Sequence, residues 1–292
     1  MQSLIRKYRT NLEAWSVLGP VMLYMSIFSL FPLFFVIYLS FTEWNAISGW
    51  PKWVGLQNYF KFFNSELYIK SLYQTLKIGG ISLVLWMVLS FAVALLLNQS
   101  IKGRGIFRAI WYIPVVTSYA IISQIVLALL DPMDGGINKF LLSMGLDRIE
   151  WQQSTFWMIF WVTLFGLWKG VGAGMLLFLA GLQSIDPSLY EAAKVDGAGA
   201  WRRMTAITIP LLHPLTAFVF VTSVIALFQL FEPIYFITKG GPNGSTQVIV
   251  YRIWKDAFSD FQMGMASVGS VVILVIAMVS TLISIRLTKS IY

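Results

Sequence analysis

Residues 183–214 read QSIDPSLYEAAKVDGAGAWRRMTAITIPLLHP, a polar stretch with several helix-start and turn signals between two apolar segments. Asp186 followed by Pro187 is a helix-start signal, because an aspartate side chain caps free amide groups and proline fits the first helical turn. We therefore predict a helix over 187–195. Gly197 then predicts a turn, since glycine adopts the positive φ angles that other residues resist.

A second short helix is predicted over 199–208, with Arg202 and Arg203 on its solvated face. Pro210 and Pro214 mark the point where the chain enters the next apolar segment. The stretch is thus a helix–turn–helix pair inside a loop. Such a pair can be pressed into a groove on a soluble partner.

The chain around this loop has the composition of a membrane protein. Of its 292 residues, 58% are hydrophobic and 12% charged, and the mean hydropathy is +0.73. A soluble domain carries about 25% charged residues. Six stretches exceed the roughly 20 apolar residues that cross a bilayer. These predict an all-α membrane protein with six transmembrane helices, at Ala14–Thr42, Ile78–Ile101, Ala109–Leu130, Trp151–Ile185, Met204–Phe231 and Phe261–Ile285.

The distribution of basic residues orients these spans. Clusters lie directly against the first, second and third spans, at Arg6, Lys7 and Arg9 and at Lys102, Arg104 and Arg108. Because Lys and Arg favour cytoplasmic loops, both termini and the 183–214 loop are predicted to be cytoplasmic. The aromatic outside segment after the first span, 43–75, suits an interfacial belt or a surface helix. Asp131–Trp151 is expected to be an outside loop with a short helix.

The loop resembles the "EAA" loop of permease subunits of binding-protein-dependent ABC importers with the type I fold. The resemblance lies in Glu191-Ala192-Ala193, Asp196-Gly197-Ala198, Ile207 and Pro210 at the family's spacing. It implies that the loop is a coupling helix that docks into an ATPase subunit. Glu191 would be the polar contact, Ala192 and Ala193 would permit close approach, and Gly197 would form the turn.

Other motifs are similar to those of carbohydrate permeases. They are Gly103-Arg104 with Phe107-Arg108 and Pro114, then Gly135-Gly136-Ile137-Asn138, and Phe178–Gln183. Gly240-Gly241-Pro242 with Thr246 resembles an outside loop of the maltose-type "F" partner, which implies a contact with the binding protein. The likeness covers roughly residues 20–290, without that protein's extra N-terminal spans and large insertion. It implies a first region over 1–70 and a transmembrane domain over 71–288, with the coupling loop at 183–214.

Polar residues within the predicted spans are candidates for the substrate pathway, because charge in hydrocarbon is costly. Lys169 lies between Trp168 and Gly170, in a segment similar to the one that lines the sugar site of the maltose-type permease. On the fifth span, the spacing of Gln229 and Glu232 predicts one shared helix face, with Tyr235 nearby and Pro233 breaking the helix. Lys169 binds substrate, extends its ammonium to the membrane interface or pairs with Glu232. The predicted pathway residues are Trp168, Lys169, Gly170, Gln229, Glu232 and Tyr235.

These observations favour a transport subunit over an enzyme. The chain has one His, no Cys and no G-x-x-x-x-G-K-[ST] loop, so no catalytic site, metal site or ATP site is predicted. The resemblance implies a sugar or oligosaccharide importer of a prokaryotic inner membrane, with no cofactor on this chain. Its implied partners are a second permease, two ATPase subunits that bind ATP and Mg, an extracytoplasmic binding protein and membrane lipid, and no nucleic acid. Alternatives are a glycerol-3-phosphate, polyol or acidic-sugar importer, or a stand-alone secondary transporter.

Overall fold

In the computed structural model, which describes residues 15–16 and 18–289, the chain is almost entirely helical, with one two-stranded antiparallel hairpin. The helices are α1 (Leu18–Ser40), α2 (Gln57–Asn64), α3 (Glu66–Leu97), α4 (Arg104–Val116), α5 (Tyr119–Leu129), α6 (Gly136–Ser143), α7 (Thr155–Ser184), α8 (Pro187–Val195), α9 (Ala200–Arg203), α10 (Ile209–Leu227), α11 (Ile249–Phe258) and α12 (Met263–Lys289). The strands are β1 (Thr42–Asn45) and β2 (Ser48–Trp53). A π-helical turn, Met204–Thr208, joins α9 to α10, and another spans Ile234–Thr238.

The described residues contain four helices long and apolar enough to cross a membrane, or six spans when two bent pairs are included. The single helices are α1, α3, α7 and α12. The third predicted span is the pair α4 and α5, bent by 94°, and the fifth is bent by 65° between Leu211 and His213. The sequence therefore predicted the apolar segments but neither bend. Residues 1–13, with the basic cluster Arg6, Lys7 and Arg9, lie outside the described residues.

The second span differs from its predicted start, because α3 begins at Glu66 rather than Ile78. At 1.5 Å per residue its 32 residues measure about 48 Å, well beyond a hydrocarbon core. Its first four turns carry Glu66, Lys70 and Lys77. A hydropathy pattern marks only the part of a helix that lies in lipid, so it missed this polar extension.

Two compact units emerge among the described residues, one formed by residues up to 65 with 253–272 and the other by 66–252 with 273 onward. In the first, the buried Asn58 amide donates hydrogen bonds to the carbonyls of Ser40 (3.2 Å) and Thr42 (2.8 Å). The side chain thereby fixes the turn from α1 into the hairpin. The predicted aromatic segment contains the short helix α2, and its position at a membrane surface remains a prediction, whereas the hairpin was not predicted.

In the second unit, α3 and α7 pack along much of their length, and α7 also packs on α4. Small residues permit this close approach. A Cβ atom at Gly172 would collide with the Trp111 carbonyl oxygen, and one at Gly174 would collide with the Ser90 hydroxyl. A buried apolar cluster extends from this contact, through Met175 and Phe178, toward α8 and α10.

The glycine contact generates a stability prediction. Gly172→Ala should lower the thermal unfolding temperature of the purified protein, because overpacking a tight contact costs about 1–3 kcal/mol. Gly80→Ala in α3 is the matched control, since a Cβ atom there meets no atom within 4 Å. Equal unfolding temperatures for the two variants would contradict the packing of α7 on α4.

Candidate functional site

The first candidate site is the short helix α8, whose start is fixed by Asp186. The Asp186 carboxylate accepts a hydrogen bond from the Ser188 backbone N–H at 2.9 Å, and Pro187 occupies the first helical position. This is the predicted N-cap. The bonds from Ser188, first backbone and then side chain, hold the pKa of the Asp186 carboxyl below its usual value.

The end of α8 is fixed by a pair of backbone hydrogen bonds around Gly197. Gly197 has φ +74°, as predicted for the turn. Its N–H bonds the Lys194 carbonyl at 3.0 Å, and the Ala198 N–H bonds the Ala193 carbonyl at 2.8 Å. These two bonds form a Schellman motif, which satisfies the last carbonyls of a helix. Both ends of α8 are therefore capped within the chain itself.

One side chain ties α8 to the following helix. The hydroxyls of Tyr190 and Thr208 are 2.9 Å apart, and Tyr190 packs against the buried apolar cluster of α3, α7 and α10. Ile207 packs against the same cluster. Sequence reasoning missed the tie between Tyr190 and Thr208, because hydroxyls 18 positions apart carry no local signal.

The opposite side of α8 is exposed and partly apolar. Glu191, Ala192 and Val195 share this face, and Val195 is 88% exposed. Trp201, at the start of α9, is 73% exposed. The prediction named Glu191 and Ala192 but not Val195 or Trp201. Their signal in the sequence was an apolar residue inside an otherwise polar loop.

The second candidate site is a cavity of about 360 Å³ among α3, α5, α7 and α10. Its wall carries two aromatic side chains and several hydroxyls but no charged side chain. The lining residues are Gly79, Ser82, Leu83, Trp86, Tyr119, Val162, Gly166, Leu167, Thr222, Ser223, Ala226, Leu227 and Leu230. None of the six predicted pathway residues is among them. The cavity lies one helical turn or less from Trp168, Lys169 and Gly170 on α7.

The Lys169 ammonium bonds backbone carbonyls at the break in the third span. Its ammonium donates hydrogen bonds to the carbonyls of Pro114, Val115 and Thr117 at 3.3, 2.9 and 2.6 Å. The ammonium also lies 4.9 Å from the centroid of the Tyr119 ring. Among residues 15–16 and 18–289, no carboxylate forms an ion pair with it, so the pairing with Glu232 is wrong for this structure.

The spacing argument for Gln229 and Glu232 was also wrong. The α10 helix ends at Leu227, six residues before Pro233, and Gln229 lies in the following turn while Glu232 begins the next helical segment. The two exposed side chains therefore do not share one helix face. Tyr235 stacks on Phe231 at 5.2 Å between ring centroids.

Trp168 and Gly170 flank Lys169 and lie in different surroundings. Trp168 is 45% exposed and meets Phe165 edge to face. A Cβ atom at Gly170 would lie 3.0 Å from the indole nitrogen of Trp86, so this glycine packs against a side chain that lines the cavity. A role for Trp168 in the pathway remains a prediction.

The loop predicted to meet a binding protein is held by one buried threonine. The Thr246 hydroxyl is 2.7 Å from the Gly241 carbonyl and 2.7 Å from the Thr238 hydroxyl. Gly240 has φ +82° and would contact Tyr251 if it carried a Cβ atom, whereas Pro242 lies at the half-buried tip. The loop is thus an ordered surface.

The described residues thus form a helical protein with membrane-spanning helices, a capped short helix in one loop and an uncharged cavity among the spans. Residues 87–291 match the family described as "Binding-protein-dependent transport system inner membrane component". The chain belongs to this family.

Curated relatives are similar over nearly the whole chain. The probable ABC transporter permease protein YesP of Bacillus subtilis (strain 168) is 35% identical, covering 94% of this chain and 90% of YesP. The lactose transport system permease protein LacF of Rhizobium radiobacter is 31% identical, covering 96% and 95%. The sn-glycerol-3-phosphate transport system permease protein UgpA of Yersinia enterocolitica is 30% identical, covering 92% of each chain.

A solved structure has the same fold. A chain of a bacterial ABC transporter involved in the import of the acidic polysaccharide alginate superposes with a TM-score of 0.88 at 26% identity, covering 99% of both chains. A second solved structure, of a bacterial alginate ABC transporter in complex with an alginate pentasaccharide-bound periplasmic protein, superposes with a TM-score of 0.87 at 25% identity, covering 98% of this chain and 97% of that chain. The six-span permease fold predicted from the sequence is confirmed.

The N-cap generates a testable prediction. Asp186→Ala should speed hydrogen exchange of the amides in 187–195 at pH 7, because it removes the acceptor at the start of α8. Asp186→Asn is the control, since asparagine caps as well as aspartate and should retain slow exchange.

The stabilisation of α8 by the Asp186 cap should depend on pH. The pKa of Asp186 is lower in the folded protein than in the unfolded chain. Its stabilisation is therefore complete above the unfolded-state pKa and is lost as pH falls through the folded-state pKa. Exchange rates corrected for intrinsic pH effects should show this loss in the wild type but not in Asp186→Asn. A pH-independent difference between the two proteins would contradict the charged cap.

Proposed function

We propose that this chain forms one half of the pathway of a sugar or oligosaccharide importer in a prokaryotic inner membrane, with both termini cytoplasmic. A second, homologous permease completes the pathway, and an extracytoplasmic solute-binding protein delivers the substrate to the outside loop at Gly240–Pro242. Two separate ATPase subunits bind ATP and Mg. This chain hydrolyses nothing and binds no cofactor.

The coupling role is supported by the way α8 is held in the structure. Both of its ends are capped, one face is tied to the core through Tyr190, and the other face exposes Glu191, Ala192 and Val195. A small, rigid helix with an exposed apolar stripe fits a groove on a partner protein. The small Ala192 and Ala193 side chains allow the partner's surface to approach the helix backbone. A stand-alone secondary transporter would have no use for this arrangement.

The cavity supports an uncharged glycan as the substrate. Trp86 and Tyr119 offer aromatic faces that can cover the apolar CH face of a sugar ring. Ser82 offers a hydroxyl to the sugar, and the Thr222 and Ser223 hydroxyls, which donate to backbone carbonyls of α10, offer acceptor lone pairs for the sugar's own hydroxyl groups. A phosphate or uronate group would instead call for Arg or Lys donors, and the described lining has none. The chemistry thus favours a neutral sugar over the glycerol-3-phosphate or acidic-sugar alternatives.

The coupling role predicts the effect of a charge on α8. Val195→Asp should weaken association with the ATPase subunits about tenfold or more, because it places an unpaired carboxylate in an apolar contact. Co-purification of the ATPase at graded concentrations measures the change. Leu146→Asp is the control, because Leu146 is also exposed but lies in the loop between α6 and α7. Full retention of the ATPase by Val195→Asp would refute the docking surface.

The substrate class can be tested on the complete importer in lipid nanodiscs. ATP hydrolysis should be stimulated by the loaded binding protein with a neutral glycan, tested as lactose and arabino-oligosaccharides. Stimulation confined to sn-glycerol 3-phosphate or alginate oligosaccharides would reject the neutral class.

The cavity hydroxyls predict a further effect on the same assay. Ser223→Ala should raise the half-maximal concentration of the stimulating glycan about 5–30-fold, the equivalent of about 1–2 kcal/mol for one hydrogen bond. Ser143→Ala, on the exposed face of α6, is the matched control and should leave it unchanged. Equal values for the two variants would place the binding site elsewhere.

A further inference from the structure

The break between α4 and α5 leaves backbone groups that need partners. The helix stops at Val116 and restarts at Tyr119 after a 94° bend. The α5 start is capped, because the Ser118 hydroxyl accepts the Ala120 N–H at 3.3 Å. At the end of α4 the Thr117 N–H bonds the Pro114 carbonyl at 3.2 Å, but among the described residues no backbone N–H bonds the carbonyls of Val115 and Thr117. In a membrane, where water is excluded, unpaired carbonyls are strongly disfavoured.

Lys169 supplies the missing donors from a different helix. An ammonium group has three N–H donors, and all three have a carbonyl acceptor at the break. Its positive charge lies at the C-terminal end of α4, where the helix dipole favours a cation. The carbonyls at the break therefore gain a donor, and the Lys169 ammonium gains three acceptors. Removing either group from water without its partner would be costly, and the hydrogen bonds between them offset that cost.

The same ammonium also faces the wall of the cavity. Tyr119 is the first residue of α5, lies under the ammonium and lines the cavity. A cation over an aromatic face is attracted to it and so restricts the ring's orientation. The adjoining Gly170 gives the indole of Trp86 its space. Lys169 thus contacts Tyr119 and Gly170 adjoins Trp86, the two aromatic side chains of the cavity wall.

We propose that Lys169 is a positioning residue that locks the bend of the third span and orients Tyr119, and that it does not bind substrate. Its three donors are occupied within the protein, so none is free for an anionic group. The inference rests on the proposed function only in assigning the cavity to the substrate. The lock itself is a property of the fold and is tested without substrate.

The chain contains no Cys, so spin labels at two introduced Cys residues have no background from this chain, which is labelled before it is assembled with its partners. Ile106 on α4 and Ile125 on α5 are both exposed and lie outside the cavity lining. At 1.5 Å per residue, the 94° bend places their Cα atoms about 19 Å apart, whereas a straight helix would place them about 29 Å apart. Electron paramagnetic resonance on the labelled pair measures this distance in the purified permease complex.

Lys169→Met should shift and broaden the distance distribution toward longer separations, because the carbonyls at the break lose their donors. Lys169→Arg should restore the short distance, since a guanidinium also presents several N–H donors and a charge. Lys77→Met, an exposed lysine of α3, is the control and should change nothing. If Lys169→Met does not accumulate, Lys169→Gln replaces it, because an amide has too few N–H donors for three carbonyls and no charge.

A short, narrow distribution in Lys169→Met or Lys169→Gln would overturn the proposed lock. A functional arm then tests the role of Tyr119, using the glycan that best stimulates the wild-type complex. Lys169→Met should raise its half-maximal concentration more than it lowers the maximal rate, and Lys169→Arg should recover most of the loss. If distances change but the half-maximal concentration does not, the bend is locked by Lys169 but the assignment of the cavity as the substrate site fails.

Discussion

Hydrocarbon cannot hydrogen-bond to a carbonyl oxygen, and this constraint shapes the transmembrane part of the chain. In continuous helices such as α3 and α7, the carbonyls accept hydrogen bonds from N–H groups of the same helix. The third span turns by 94° within a few residues, so some of its carbonyls lack such a donor, and Lys169 of the neighbouring helix α7 supplies it. Tyr119 is the first residue after this bend, and the bend places its side chain in the wall of the cavity. One partly buried cation thus links the path of the backbone to the shape of the cavity.

The parts of the molecule that the sequence predicted well are those governed by neighbours along the chain. Asp186, Pro187 and Gly197 define α8 to the residue, because caps and positive-φ turns act over a few positions. The apolar spans were equally clear, since lipid selects residue type over some twenty positions. The short helix α6 also lies within Asp131–Trp151, the loop in which a short helix was predicted.

The parts that were missed depend on residues distant in sequence. The partner of Lys169 is a set of carbonyls some 50 positions away, and backbone carbonyls carry no residue identity. The cavity is lined by Ser82, Tyr119 and Ser223, which come from three different helices, so no local sequence motif predicts it. The expectation for Gln229 and Glu232 failed because it extended α10 beyond Leu227. A sequence pattern does not show where a helix stops when an apolar run continues past its end.

The double capping of α8 has a thermodynamic consequence for assembly. A loop that folds only on contact loses conformational entropy at that moment, and this loss weakens the complex. Here the Asp186 cap, the Gly197 turn and the Tyr190–Thr208 bond order the helix before any partner arrives. Association with a partner then requires little further ordering of this segment. The helix can transmit displacement in either direction as a rigid body, with little of the motion absorbed by its own bending.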